Sequence, residues 1–454
     1  MPGDKQPQRA ALISLGCKVN QAELEGIKSV FQQAGYLIVD FEEPADVYVI
    51  HTCTVTHLSD RKSRQLIRRA NRQNPEAVVV VTGCYAQVAP DEVLAIPGVD
   101  VVVGTRGRHR LPELIARARE TRKAINAVKE HTAGEPFEEL PVGEPSRARA
   151  FLKIQEGCEE YCRYCIVPYA RGPLRSLEPE KAVAAVQRLL AAGFKEIVLT
   201  GVHTGAYGRD LGRGIDLNYL LQRLVRLPGL LRLRISSLDP PDFSDELIAT
   251  LGAADNICPH FHIPLQSGDD YILQRMGRKY TVGQYRDLVA AIRAVKPGVA
   301  ITTDVIVGFP GEGKENFART LEFVREIAFA RLHVFPFSPR AGTPAAALPD
   351  QVPAEVKKER VRELIAVGRG LARKYAAGFI GRVVKVLVEK QVPGRENTWE
   401  GHSENYLKVN FQAPGRELTG EIVPVVLEEI RGETTWGKIF SGQQGKEDAM
   451  AKNK

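Results

Sequence analysis

The chain has no apolar run near the ~20 residues that a membrane-crossing helix needs, and it is poor in tryptophan (2), methionine (3) and cysteine (7) among 454 residues. Seven cysteines are too few for a disulfide scaffold in a chain this long. The first ten residues, MPGDKQPQRA, hold no apolar core before Ala11, so they do not read as a secretory signal and the expected location is cytoplasmic. Neither charge sign dominates: Lys and Arg number 62 against 55 Asp and Glu, a net +7 that permits nucleic-acid binding without requiring it. With 44% apolar residues the chain is ordinary for a globular protein, and its length allows two to four domains.

The scarce cysteines are concentrated. Three fall in Gly157-Cys158-Glu159-Glu160-Tyr161-Cys162-Arg163-Tyr164-Cys165, a Cys-x3-Cys-x2-Cys spacing. No fourth Cys or His lies close by, whereas structural zinc closes with four ligands. A cluster held by three thiolates leaves one iron open for a small molecule. Zinc with a distant fourth ligand is the bland alternative.

The first hundred residues alternate short apolar strands (Ala11–Gly16, Val47–Ile50, Val78–Val81, Val99–Val103) with helical stretches, Gln21–Ala34 and Ser59–Arg72 among them. This pattern predicts a parallel sheet with crossover helices. Cys17, Cys53 and Cys84 follow three of the strands. Ligands bind at the carboxyl edge of such a sheet, so these thiols are expected to converge as a second three-cysteine site. Buried structural thiols are the alternative for each.

Residues 113–147 read as a linker, beginning as a charged helix and passing into Pro-, Gly- and Glu-rich sequence. From 148 to 376 a second series has expected strands at Ala150–Gln155, Glu196–Thr200, Arg232–Ser236, His260–Pro264, Ala300–Val307 and Arg331–Phe335. Six such units in so short a span predict an incomplete barrel, with the Cys158 triplet at the active-site end. Gln351–Gly378 reads as a basic bridging helix, 378–441 as a small all-β barrel and 442–454 as a disordered tail.

The Cys158 triplet and the partial barrel resemble the radical S-adenosylmethionine (SAM) superfamily. With Cys17, Cys53 and Cys84 in a first domain over 9–112, the layout resembles the methylthiotransferases, which add a C-terminal TRAM domain. The words Leu15-Gly16-Cys17-Lys18-Val19-Asn20-Gln21 and Thr52-Cys53-Thr54-Val55-Thr56-His57 are similar to the MtaB-type tRNA branch, as is Asp60–Ala70. His51 departs from the Asn that commonly precedes Thr-Cys in the family.

The resemblance implies two 4Fe–4S clusters, one on Cys158, Cys162 and Cys165 with SAM, one on Cys17, Cys53 and Cys84. It implies that one electron from the first cleaves SAM to a radical able to take an inert C–H hydrogen, while the second presents sulfur. The substrate it implies is N6-threonylcarbamoyladenosine at tRNA position 37, methylthiolated at C2. A low-potential electron donor such as flavodoxin or ferredoxin, and a sulfur donor, are implied partners. Tyr164, Gly201, Ser236 and Gly308 fall where the superfamily contacts SAM. The same chemistry on isopentenyladenosine is one alternative. A zinc-stabilised RNA-binding protein without catalysis is another.

Two features point to RNA. Arg61, Lys62, Arg64, Arg68, Arg69 and Arg72 follow the Cys53 loop with no acid after Asp60; a solvated helix face is the plain reading, phosphate contact the functional one. Gly401–Val409 resembles the TRAM module and offers Tyr406 and Lys408 as RNA contacts, against a simple capping role. His262, a possible zinc ligand in isolation, reads better as a satisfied strand-end histidine, and Cys258 reads as structural.

Overall fold

A computed structural model describes residues 7–141, 148–212 and 214–440. The expected tail (442–454) and residues 142–147 of the expected linker lie outside the described residues.

The first body runs β1 (Arg9–Ser14), α1 (Lys18–Gln33), β2 (Leu37–Val39), β3 (Val47–Thr52), α2 (His57–Gln73), β4 (Val78–Gly83), α3 (Cys84–Val88), α4 (Pro90–Leu94), β5 (Val101–Val103), α5 (Leu111–Thr121) and β6 (Ile125–Asn126). The strands form one parallel sheet in the order β2-β1-β3-β4-β5-β6. Strands β3 and β4 are buried along their whole length, which is why they read as unbroken apolar runs. Val47, Val49, Val78 and Val80 share one core with Leu24, Ile27 and Phe31 of α1 and Leu114 and Ile115 of α5. Tyr48, Ile50, Val79 and Val81 face the other way, onto Ile67 and Ala70 of α2. The start of the expected linker therefore belongs to this body: α5 buries Leu114, Ile115 and Ala118, and β6 extends the sheet beside β5.

The second body runs β7 (Ala150–Glu156), α6 (Val167–Arg171), β8 (Arg175–Ser176), α7 (Pro179–Ala191), β9 (Glu196–Gly201), α8 (Leu217–Leu224), β10 (Arg232–Ile235), α9 (Asp245–Ala253), β11 (His260–His262), α10 (Asp270–Met276), α11 (Val282–Val295), β12 (Ala300–Val307), α12 (Lys314–Ile327) and β13 (Arg331–Pro336). Strands β7, β9 and β10 pair in parallel, as do β11, β12 and β13, and a parallel bridge between Leu233 and Ile257 joins the halves. The result is an open barrel of six parallel strands. Alternation along β9 and β10 sends Ile197, Leu199, Leu233 and Ile235 into the apolar layer under the helices. It leaves Glu196, Thr200, Arg232, Arg234 and Ser236 for the opposite face, inside the barrel. Helix α1 of the first body packs on β7 and β9, so the first body covers the barrel's open side.

Helix α13 (Ala354–Ala377) lies against β13 and leads to the third body. There β14 (Val383–Gln391), β15 (Thr398–Ser403), β16 (Lys408–Gln412), β17 (Ile422–Arg431) and β18 (Thr434–Ile439) close a barrel in the order β14-β15-β16-β18-β17. Closure removes exposed sheet edges. Strand β15 runs beside β14 at Gly401. A Cβ there would sit 2.1 Å from the Leu387 carbonyl oxygen, so the strand needs a glycine to approach β14.

Candidate active site built from two cysteine triplets

Cys17 caps α1 just after β1, Cys53 follows β3 directly and Cys84 opens α3 at the end of β4. These are neighbouring strands, and Cys17 and Cys53 flank the point where the strand order reverses, the usual ligand crevice of an open parallel sheet. Two glycines allow the loops to crowd together. Gly16 and Gly83 both have φ of +99°; a Cβ on Gly16 would lie 2.6 Å from the Cys53 Cβ, and one on Gly83 would lie 2.5 Å from the Thr52 oxygen. Asn20 ties the loops, its Nδ2 donating to the carbonyls of Leu15 (2.7 Å) and Thr52 (3.0 Å). Burial pushes the Cys84 thiol up to about 12, and Cys53 and Cys17 add to the rise, against the opposing pull of Arg171. The protein packed around Cys17 raises it as well, although part of its surface is exposed.

Cys158 lies two residues beyond β7. Gly157 (φ +79°) makes the turn, where a Cβ would stand 1.9 Å from the Pro173 oxygen. Arg278 Nη1 donates to Cys162 Sγ at 3.2 Å and its Nη2 pairs with Asp239 at 2.8 Å. His203 pairs with Asp242 at 2.9 Å, with Cys158 beside it. Burial opposes its protonation, but Asp242 and Cys158 outweigh it and lift His203 to about 10. Burial pushes Cys165 to about 12, reinforced by Cys162 and Cys158.

The two triplets meet at adjoining residues. Arg171 Nε donates to Cys84 Sγ at 3.1 Å, while the Gly172 carbonyl accepts the Cys158 N–H at 3.0 Å. The Arg171 guanidinium also reaches Asn20 Oδ1 (2.6 Å), Glu23 (2.8 Å) and Glu156 (3.1 Å), all buried. Glu23 collects Arg108 (2.6 Å), Lys153 (2.8 Å) and His51 Nε2 (3.0 Å) as well. Its burial opposes ionisation, but Arg108, Arg171 and Lys153 hold it well below the usual carboxylate range. His51 must therefore donate from Nε2, leaving Nδ1 bare and buried. The departure at His51 thus supports Glu23 and leaves the cysteines untouched.

Both triplets fit a polynuclear cluster better than one metal ion. Among the described residues, the metal-ligating side chains whose donor atoms all lie within 4.8 Å are His262, Asp304 and His333; neither triplet is so tight. Tetrahedral zinc with sulfur at about 2.3 Å would bring sulfurs within about 3.8 Å of one another. Thiols held this high in pKa also need the charge of bound metal to ionise. Cys17, Cys53 and Cys84 would hold one cluster. Cys158, Cys162 and Cys165 would hold the other.

The remaining expected residues divide. The Ser236 hydroxyl is buried without a partner inside the barrel, as is that of Thr204, a residue the sequence reading passed over. Gly201 ends β9 against Gln155, whose Oε1 accepts the His203 N–H at 2.7 Å. Tyr164 packs against the cluster of Ile272, Met276 and Phe309. Gly308 makes a turn (φ +72°): its N–H is spent on Glu312 (2.9 Å), and a Cβ would lie 2.4 Å from Lys357 of α13.

Tyr406 differs from its expected role. Its ring stacks between His260 (4.5 Å) and His402 (4.6 Å) under the Arg234 guanidinium (4.6 Å), sealing the third body to the barrel, so it is not free to stack on a base. Lys408 is half-exposed and pairs with Glu400 at 2.6 Å. On α2, Arg64 is taken by Tyr85 and Glu92, and Arg69 by Glu42. Arg61, Lys62, Arg68 and Arg72 are exposed, with no acidic partner among the described residues. Arg278, His203, Arg171 and Asn20 were not singled out from sequence. Asn20 was visible only as the Asn of Cys-Lys-Val-Asn, and the other three carry no motif that tells a ligand-supporting role from a structural one.

Known proteins agree with this geometry. Residues 9–104 match the family described as uncharacterized protein family UPF0004, and residues 152–324 match the radical SAM superfamily. The chain is 49% identical to the threonylcarbamoyladenosine tRNA methylthiotransferase MtaB of Bacillus subtilis (strain 168), over 91% of this chain and 92% of the relative. It is 40% identical to the protein of the same name from Aquifex aeolicus, covering 92% and 100%. It is 37% identical to the tRNA-2-methylthio-N(6)-dimethylallyladenosine synthase of Pelotomaculum thermopropionicum, covering 92% and 95%. Among solved structures, the radical SAM methyltransferase TsrM of Kitasatospora setae with cobalamin and a 4Fe–4S cluster superposes with a TM-score of 0.56 at 17% identity, covering 75% of this chain and 74% of that one, a likeness of fold. With two cysteine triplets joined through Arg171 and relatives matched over nearly its full length, the chain belongs to the radical SAM tRNA methylthiotransferases.

Proposed function

We propose that this protein replaces the C2 hydrogen of N6-threonylcarbamoyladenosine at tRNA position 37 with a methylthio group. The observation that carries the reading is the meeting of two three-cysteine sites at Arg171 and Gly172. One site alone would serve radical generation; a second beside it gives the inserted sulfur a place. Relatives named for threonylcarbamoyladenosine at 49% and 40% identity support that substrate over the isopentenyl one. The clusters and SAM, when bound, supply the one-electron and sulfur chemistry.

The chain's own residues do the rest. Arg278 and Arg171 donate to cysteine sulfurs and, with His203 beside Cys158, would stabilise negative charge there, as hydrogen bonds to cluster sulfurs do. The unpartnered hydroxyls of Ser236 and Thr204 offer contacts for SAM inside the barrel. The target base must leave the anticodon-loop stack, at a cost of a few kcal/mol. Phosphate contacts from Arg61, Lys62, Arg68 and Arg72 would offset it. The third body, read as a TRAM domain, meets RNA with faces other than Tyr406. The reaction calls for a low-potential electron donor of the flavodoxin or ferredoxin kind and for a sulfur donor. No described helix is long and apolar enough to cross a membrane, which suits work on tRNA in the cytoplasm.

The test joins two measurements. Protein reconstituted without oxygen should be brown and hold about eight irons per chain. Transfer RNA from a deletion strain should lose 2-methylthio-N6-threonylcarbamoyladenosine and regain it on complementation. A colourless protein with zinc would sink the mechanism. Loss of the isopentenyl derivative instead would sink the substrate.

A further inference from the structure

Lys18 follows Cys17 in the first turn of α1, and its side chain enters the open side of the barrel. Its ammonium lies among Arg149, Arg234, Glu196 and Asp304 and 6.0 Å from the centre of the Tyr406 ring. Lys18 is partly solvent-accessible, although these groups form a chamber around it. Among the described residues no carboxylate pairs with it. Glu196 is already held by Arg234 (3.0 Å), Arg149 (3.2 Å) and Arg232 (3.3 Å). Asp304 accepts from His333 Nδ1 (3.1 Å) and His262 Nε2 (3.3 Å), and the other nitrogen of His262 is spent on Thr302 (3.0 Å). That leaves the Nε2 of half-exposed His333 without a partner among the described residues.

An enclosed ammonium without a counter-ion is costly unless something else completes it. A metal ion on His262, Asp304 and His333 would put more positive charge beside Lys18, Arg149 and Arg234. An anion fits the chamber. A hydrocarbon substituent would strand the charge in an apolar contact.

We propose that Lys18, with His333 Nε2, binds the carboxylate on the N6 substituent of the target adenosine. The proposal rests on the tRNA reading above and gives it a physical basis: the chamber selects an N6 group that ends in an anion. Asp304 and His262 act on His333 as positioning residues, fixing its ring so that Nε2 faces the ligand.

The test uses holoenzyme and three anticodon stem-loop RNAs, carrying threonylcarbamoyladenosine, its neutral carboxamide counterpart or isopentenyladenosine. Affinity is read by fluorescence anisotropy and product by mass spectrometry. Wild type should bind the acid at least about tenfold more tightly than the amide, as expected for a charge-assisted contact. Lys18→Met should erase most of that difference, Lys18→Arg should keep part of it, and His333→Gln should reduce it. If Lys18→Met fails to fold or load iron, the acid–amide comparison in wild type and the His333→Gln variant still decide. Equal affinity for acid and amide in wild type, with threonylcarbamoyl RNA still modified, overturns this site and leaves the substrate reading intact. Modification of isopentenyl RNA alone overturns both.

Discussion

Arg171 donates to the sulfur of Cys84 at 3.1 Å from a helix that begins just after Cys165, so one side chain spans from the radical-generating triplet to the auxiliary one. Its charge also neutralises Glu23 and Glu156, both buried. Removing one partner of a buried ionic network leaves the others uncompensated, at about 3–5 kcal/mol. Arg171→Gln should therefore lower the unfolding free energy of the iron-free protein by that order, read as a lower urea midpoint, and reduce iron at the auxiliary site. Arg171→Lys should recover part of the stability, because the charge returns, but not the fork that serves Cys84, Asn20 and the carboxylates together. An unchanged midpoint in Arg171→Gln would show that the network does not hold the bodies together.

The glycines at the two sites make separable predictions. Gly83→Ala would force a Cβ to 2.5 Å from the Thr52 oxygen at φ +99°, and Gly157→Ala would force one to 1.9 Å from the Pro173 oxygen at φ +79°. Backbone cannot yield as a side chain can. Each substitution should drop iron from about eight to about four per chain, with loss at its own site only. In Gly157→Ala, SAM cleavage should vanish. In Gly83→Ala, SAM cleavage should persist without methylthio product. Gly308→Ala is the control: it strains a turn against a flexible lysine stem, so it should cost stability without changing SAM affinity.

Glu196 makes the stability pH-dependent. Its burial opposes ionisation, but Arg234 and Arg149 outweigh that and bring it from an ordinary 4.5 to about 2. The folded form thus holds fewer protons than the unfolded form between these values. Stability from this group is full above pH 4.5 and is lost as pH falls toward 2, amounting to about 3 kcal/mol. Urea midpoints measured from pH 6 to pH 3 should fall steeply in wild type and less steeply in Glu196→Gln. That variant should already be less stable at pH 7, because three guanidiniums lose their partner. Parallel pH profiles would refute the assignment.

The cysteines were legible for different reasons. Cys158, Cys162 and Cys165 announce themselves by spacing. Cys17, Cys53 and Cys84 required the strand pattern first, and it sufficed because β3 and β4 are buried on both faces and read as solid apolar runs. Strand β12, expected and found at Ala300–Val307, shows instead through the Ala-Ile and Val-Ile-Val runs at its two ends. Short edge elements did not show: β2, β6 and β8 have two or three residues each, too few for any period to register. The charged interior was hidden too. Glu23, Arg171, Arg234 and Lys18 look like surface residues one at a time, and only the fold pairs them or leaves one unpaired. Tyr406 is not a free stacking platform, because a motif word says which residue is present, not which body leans on it.

The basic tract on α2 now splits into two groups with opposite expectations. Arg64 is committed to Tyr85 and Glu92, and Arg69 to Glu42, so their charges are spent inside the protein. Arg61, Arg68 and Arg72 fall on one exposed stripe of the helix, seven and four residues apart, and face solvent unpaired. Phosphate contacts release counterions, so each genuine contact adds about 0.7–0.9 to the slope of log affinity against log salt. Neutralising Arg68 and Arg72 together should weaken tRNA binding and flatten that slope by about 1.5, by the same reckoning. Neutralising Arg64 should leave the slope alone and slightly lower the melting temperature, because it loses a bond to Tyr85. If the slope stays unchanged in Arg68→Ala/Arg72→Ala, the helix is only a solvated face, and the RNA must be gripped by other surfaces of the three bodies.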